Sequence, residues 1–125
     1  MKVQGVRGAV PVKENRREHI WKAAKELTLK MVRANKVKTE DIACIIFTLT
    51  PDLNSDFPAY AVRQMKKGWQ HVPLLCAREI DVPGAMPGLL RILMIVNTPL
   101  SQTQVRHVYI GRAAKLKTEI KSKKR

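Results

Sequence analysis

Val72-Pro-Leu-Leu-Cys-Ala-Arg-Glu-Ile-Asp-Val-Pro-Gly-Ala-Met-Pro-Gly-Leu-Leu-Arg-Ile-Leu-Met-Ile-Val-Asn-Thr98 is the stretch on which the reading of this chain turns. Two apolar runs flank a turn region rich in Pro and Gly, Val82 to Gly88. Each run has the length and side-chain content of a buried strand. Yet the first finishes at Glu79, and the second carries Arg91 between Leu90 and Ile92. Charge in apolar surroundings needs a partner. If the runs lie side by side in a sheet, a carboxylate and a guanidinium share a water-poor setting. Those two residues alone leave a structural ion pair as open as a functional site.

Upstream, Val3 to Val12 predicts a first strand, with Arg7 between Gly5 and Gly8. Small neighbours leave room for a ligand or another chain to approach the guanidinium; an exposed edge-strand arginine is the plainer reading. Asn15 followed by Glu18 resembles a capping box. Ile20, Ala24, Leu27 and Met31 then recur at helical spacing, so an amphipathic helix is expected to end near Asn35. Ile42 to Thr48 reads as a central strand covered on both faces. The turn formers from Thr50 to Ala59 predict a loop, and Pro58 opens a short helix running to Lys66.

Downstream of Thr98 the sequence predicts a turn and a last strand, Val105 to Ile110. The pattern implies an α+β domain, a mixed β-sheet packed against one long helix plus a short helix. The domain is expected to span residues 1–116. Residues 117–125 read as a basic, flexible tail with too little apolar content to order itself.

The chain has 125 residues, 45% of them hydrophobic, enough for one domain with its own core. Its formal net charge of +14 favours an anionic partner without choosing among nucleic acid, a membrane surface and a small polyanion. No apolar run approaches the roughly 20 residues of a membrane span. With no apolar leader at the start and 2 cysteines, Cys44 and Cys76, inside apolar runs, a cytoplasmic setting is expected. His19, His71 and His107 are scattered without ligand spacing, so neither a metal nor another cofactor is expected.

Arg7, Arg63, Glu79, Arg91 and Tyr109 are the polar groups that interrupt apolar surroundings. No Ser-His or Cys-His pair and no phosphate-cradling loop accompanies them. Several arginines with one carboxylate and a phenol suit the holding of a small dianion and the stabilisation of charge that develops during a rearrangement.

Gly5-Val-Arg-Gly-Ala, Thr50-Pro-Asp-Leu, Phe57-Pro-Ala, Ala61-Val-Arg, Gly68-Trp-Gln, Val72-Pro, Cys76, Glu79, Asp81-Val, Arg91 and Val105-Arg-His-Val-Tyr occur in that order. With this spacing the chain resembles the monofunctional chorismate mutases of the small trimeric α/β type, from Val3 to about Leu116. The resemblance implies an intramolecular [3,3] rearrangement of chorismate to prephenate, with no covalent intermediate. It implies a homotrimer closed into a pseudo α/β-barrel, with sites between subunits, and neither nucleic acid nor membrane as a partner. It also implies that Arg91 reaches the ether oxygen and a carboxylate, that Arg7 and Tyr109 bind the side-chain carboxylate, and that Glu79 with the backbone of Cys76 receives the ring hydroxyl. Phe57, Ala59, Arg63, Leu74 and Leu75 match the wall contributed across a subunit boundary, and Leu116 completes the substrate-binding set.

Three positions depart from the commoner pattern. Tyr60 stands where a lysine is frequent, Leu75 where a threonine is, and Lys117 where an arginine is. Lysine keeps the charge but lacks the guanidinium fork. Two other readings compete with the mutase. The charge and the tail Lys121-Ser-Lys-Lys-Arg fit a small basic nucleic-acid-binding protein, although 5% aromatic residues leave few rings for stacking. The same trimeric scaffold is also compatible with binding a different small acid.

Overall fold

The computed structural model of the protein describes residues 1–117. Residues 118–125, most of the expected tail, lie outside the described part. The elements are strand β1 (Lys2–Pro11), helix α1 (Arg17–Asn35), β2 (Ile42–Leu49), α2 (Pro58–Arg63), β3 (Leu74–Arg78), β4 (Leu89–Thr98) and β5 (Val108–Tyr109). They build a five-stranded sheet in the order β3-β2-β4-β1-β5. The pairs β1/β4 and β2/β4 are antiparallel, whereas β2/β3 and β1/β5 are parallel. The sheet is therefore mixed and the class α+β, as the order of apolar runs implied.

Helix α1 packs on β1, β4 and β5 and against α2, which covers β3. Its expected stripe, Ile20, Ala24, Leu27 and Met31, is fully buried. Against it lie Val6, Val10, Ile45, Phe47, Met94 and Val96, the side chains that alternate inward along β1, β2 and β4. Asn35 ends the helix as expected. Its amide donates to the carbonyls of Met31 and Arg106, each at 2.9 Å, and accepts the Arg106 N–H at 2.7 Å. Lys36 follows in the left-handed region at φ 52°.

Several local expectations change. Asn15 does not cap α1; its side chain accepts the N–H groups of Asn54 and Ser55, at 2.9 and 3.1 Å, and so holds the loop before α2. Helix α2 stops at Arg63, short of the expected Lys66, and positive φ at Lys67 and Gly68 turns the chain further on. Strand β2 is covered on one face only: Ile45, Phe47 and Leu49 are buried under the helices, while Cys44, Ile46 and Thr48 face the other way and are half-open. The last strand contracts to two residues. Gly8 is small for a reason other than ligand access, since a Cβ there would meet Met31 Sδ at 2.5 Å and Leu27 Cδ1 at 3.0 Å. Helix α1 sits directly on the backbone at that point.

Candidate active site

The two runs that opened the sequence reading are not neighbours in the sheet. Strand β2 lies between β3 and β4, and its Thr48 pairs with Ala77 on one side and Arg91 on the other. The carboxylate and guanidinium meet across that residue. Pairing continues one residue past β3, where the Glu79 N–H donates to the Leu49 carbonyl at 3.0 Å. This turns the Glu79 carboxylate back over the sheet, with Oε2 3.1 Å from Arg91 Nε and 2.7 Å from the donating Thr48 hydroxyl. The Nε contact is ionic and lacks the alignment of a hydrogen bond. Thr48 was missed from sequence. The signal the sequence offered was a hydroxyl at the end of the apolar run of β2; that it lies opposite Arg91 is decided by the pairing of β2 with β4.

Arg91 lies on the half-open side of β4, because Leu90 and Ile92 on either side of it face the core. By the same alternation Arg7 leaves β1 on that side, since Val6 faces helix α1 and the next residue is Gly8. Arg7, Thr48, Arg91, Tyr109 and Leu116 all line one cleft of about 350 Å³, with Ile46 and Leu93 adding apolar side chains from the same face of the sheet. Glu79 braces Arg91 from beside it. Leu116 reaches the cleft from a C-terminal helical turn, where it packs with Ala9, Leu89 and Ala113. Thus two arginines and a tyrosine line one hollow with apolar neighbours, and one of the guanidiniums is already ion-paired.

The strand bearing Arg91 is anchored at its start. Arg112 donates to the Pro87 and Gly88 carbonyls at 2.8 and 3.2 Å, the Val12 N–H donates to Gly88 O at 2.8 Å, and Gly88 N–H donates to Asp52 Oδ1 at 3.2 Å. Burial alone would raise the Asp52 carboxyl, but hydrogen bonds from Thr50, Gly88 and its own backbone, with the charge of Arg112, hold it below the ordinary value. The hub fixes where β4 begins.

The remaining expected residues collect elsewhere. Phe57 and Cys76 line a second cleft of about 470 Å³ beside α2. Ala59 is buried, Leu74 is half-buried and Arg63 is exposed. Burial pushes the Cys76 thiol above its ordinary value, against a backbone hydrogen bond from Ala59 and the charge of Arg63. Leu75 projects from the open side of the sheet next to Ile46 and is 61% exposed. Tyr60 stacks on Trp21 with ring centroids 4.9 Å apart, and Arg17 lies over the same indole. Within one chain, then, the expected residues form two surfaces: a cationic cleft, and a wall around α2 and β3 with Phe57 69% exposed at its rim. Among the described residues no group of three or more His, Cys, Asp or Glu is placed to hold a metal, and no helix is long and apolar enough to cross a membrane.

Comparison with known proteins bears on this arrangement. A family model described as chorismate mutase type I matches residues 3–120. The chain is similar to chorismate mutase AroH of Thermus thermophilus, at 47% identity over 121 residues, 96% of this chain and 98% of that one. It is similar to chorismate mutase AroH of Bacillus subtilis (strain 168), at 38% identity over 120 residues, 96% of this chain and 94% of the relative. Among solved structures it is similar to a chorismate mutase from Clostridium thermocellum, with a TM-score of 0.85 and 39% identity, covering 89% of this chain and 97% of that one.

Proposed function

The chain belongs to the chorismate mutase type I family and is a chorismate mutase, and from that premise we propose that each active site is assembled between two subunits of a homotrimer, with Arg91 as its dominant catalytic group. The reaction is the intramolecular [3,3] rearrangement of chorismate to prephenate, in the biosynthesis of phenylalanine and tyrosine. One C–O bond breaks and one C–C bond forms within the same molecule, so no proton, electron pair or group is exchanged with the protein. Two contributions remain for the protein to make. It captures the folded, diaxial conformer in which the reacting ends are close, and it stabilises the negative charge that builds on the ether oxygen as the C–O bond lengthens.

The observation that carries the assignment is the Arg91–Glu79 pair at 3.1 Å beside the cleft that Arg7 and Tyr109 share. Glu79, itself fixed by the Thr48 hydroxyl, braces the guanidinium by an ionic contact at Nε, which leaves its terminal amino groups for the ether oxygen and a substrate carboxylate. A donor held in this way does not reorganise as charge appears, and the apolar wall strengthens the interaction. Arg7 and the Tyr109 hydroxyl take the side-chain carboxylate. Glu79 and the Cys76 backbone receive the ring hydroxyl, so Cys76 serves through its main chain and its packing.

The cleft is open in the single chain, and the wall of Phe57, Ala59, Arg63, Leu74 and Leu75 is a separate surface. The helix-free side of the sheet exposes Val3 at 62% and Leu93 at 39%, with Leu75 at the β3 edge. Apolar sheet surface of this kind marks a subunit contact. Packing three such faces together places the wall of one subunit over the cleft of the next. A cytoplasmic setting belongs to the same proposal, on the strength of two free thiols, Cys44 and Cys76, set in apolar strands.

Mixing two inactive variants tests the shared site. Arg91→Ala removes the cleft cation and Arg63→Ala removes a wall group, and each homotrimer is expected to lose most turnover. Unfolding and refolding them together produces hybrids in which an intact cleft meets an intact wall, so chorismate consumption returns. No recovery in hybrids verified by mass would confine each site to one subunit.

A further inference from the structure

The outer edge of β1 is closed in an unusual way. Strand β5 pairs with it only at Gly8 and Ala9, and the Ile110 N–H donates to the Ala9 carbonyl at 3.0 Å. Beyond that point side chains stand in for a neighbouring strand. The Gln102 amide donates to Gly5 O at 2.7 Å and accepts Gly5 N–H at 2.9 Å. Between the two, the Arg7 N–H donates to His107 Nδ1 at 2.9 Å. Arg7 is thus the residue of β1 whose outer hydrogen bond depends on an ionisable side chain, and its guanidinium lines the catalytic cleft.

We infer that His107, as a neutral imidazole carrying its proton on Nε2, is a positioning residue for Arg7: by accepting the Arg7 N–H it fixes the strand backbone from which the guanidinium reaches the substrate carboxylate. The inference rests on the site proposed above. An acceptor is obligatory at this place, because a donor facing the Arg7 N–H would repel it. Burial first, then the charges of Arg7 on β1 and Lys117 on the C-terminal helical turn, hold His107 below its ordinary value of 6.5. The acceptor form is therefore the populated one at neutral pH. Helix α1 turns toward this segment with the uncharged Asn35, which is already bonded to the Arg106 backbone. Protonation would remove the acceptor and add a third positive charge between Arg7 and Lys117.

Four variants test this by chorismate turnover. In His107→Ala, KM is expected to rise about fivefold, the equivalent of one net hydrogen bond, with a smaller change in kcat. Asparagine places its amide oxygen close to where Nδ1 stands, so His107→Asn should restore KM, whereas His107→Gln, whose acceptor lies further out, should not. The native enzyme should also show KM rising as the pH falls through a value below 6.5, a limb that His107→Asn lacks. Equal KM in native, Ala and Gln variants, or an acid limb unchanged in His107→Asn, would overturn the inference. Arg7→Ala separates the two levels: if it leaves KM unchanged the proposed site itself fails, and if it raises KM while His107→Ala does not, only the role of His107 falls.

Discussion

At the scale of single residues, the role proposed for Arg91 depends on how its guanidinium is held more than on its charge. Its Nε faces Glu79, and Glu79 is in turn held by the Thr48 hydroxyl at 2.7 Å. A carboxylate kept in place this way orients the fork without neutralising the far side of the guanidinium. Lysine at position 91 would keep one positive charge but could not contact Glu79 and the ether oxygen together. Arg91→Lys is therefore expected to lose at least about 3 kcal/mol of transition-state stabilisation, more than a hundredfold in kcat, followed as the loss of chorismate absorbance. Activity within a few-fold of native would remove Arg91 from the role assigned to it. Tyr60 shows a different use of a residue. This chain sets the Tyr60 ring against Trp21 with Arg17 alongside, which makes a packed surface of that position.

At the scale of elements, the cleft exists because two strands each send an arginine to the same side of the sheet. Ala9 pairs with Arg91, and Arg7 pairs with Leu93 two residues further along the antiparallel ladder. The register follows from the buried alternation of both strands, since a slip of one residue would turn Val6, Val10, Met94 and Val96 out of the core. Gly8 sits between the two pairs and lets helix α1 approach the sheet. Gly8→Ala would push a methyl against Leu27 and Met31, and both side chains are fully buried. A loss of about 1–3 kcal/mol is expected, read as a lower melting temperature at fixed protein concentration. An unchanged melting temperature would mean that the helix moves outward without cost.

At the scale of the whole molecule, the helix-free face of the sheet is the surface left unpartnered in one chain. Leu93 lies near its centre, on β4, between Arg7 on β1 and Ile46 on β2. Leu93→Glu would place a carboxylate from every subunit at the proposed contact and remove the roughly 1.5–3 kcal/mol of burying each leucine. Sedimentation should then report the mass of one chain instead of three, with turnover falling as the sites come apart. A variant that stays trimeric would show that another surface joins the subunits. With the proposed site, the +14 charge is expected to act as a field that attracts a doubly negative substrate, so that kcat/KM falls as added salt screens it. The nucleic-acid reading of the same charge gains nothing from the comparisons, which point to chorismate mutases throughout.

The amino-acid order by itself determined the apolar runs of the strands, the stripe of helix α1 and the residue types that make the cleft, because burial periodicity and the match to a family's spacing are local properties. It also carried the kind of chemistry, since two guanidiniums, a carboxylate and a phenol without a nucleophile restrict the reactions available. Tertiary structure alone decided that β2 separates Glu79 from Arg91, that Thr48 bridges them, that Asn15 leaves the helix end to hold a distant loop, and that the imidazole of His107 substitutes for a strand at Arg7. The hydrogen bonds made by Thr48, Asn15 and His107 each join residues 30 or more positions apart. Pairing at such separations is set by which partners the packed sheet brings together, and no window of sequence contains both ends of the bond.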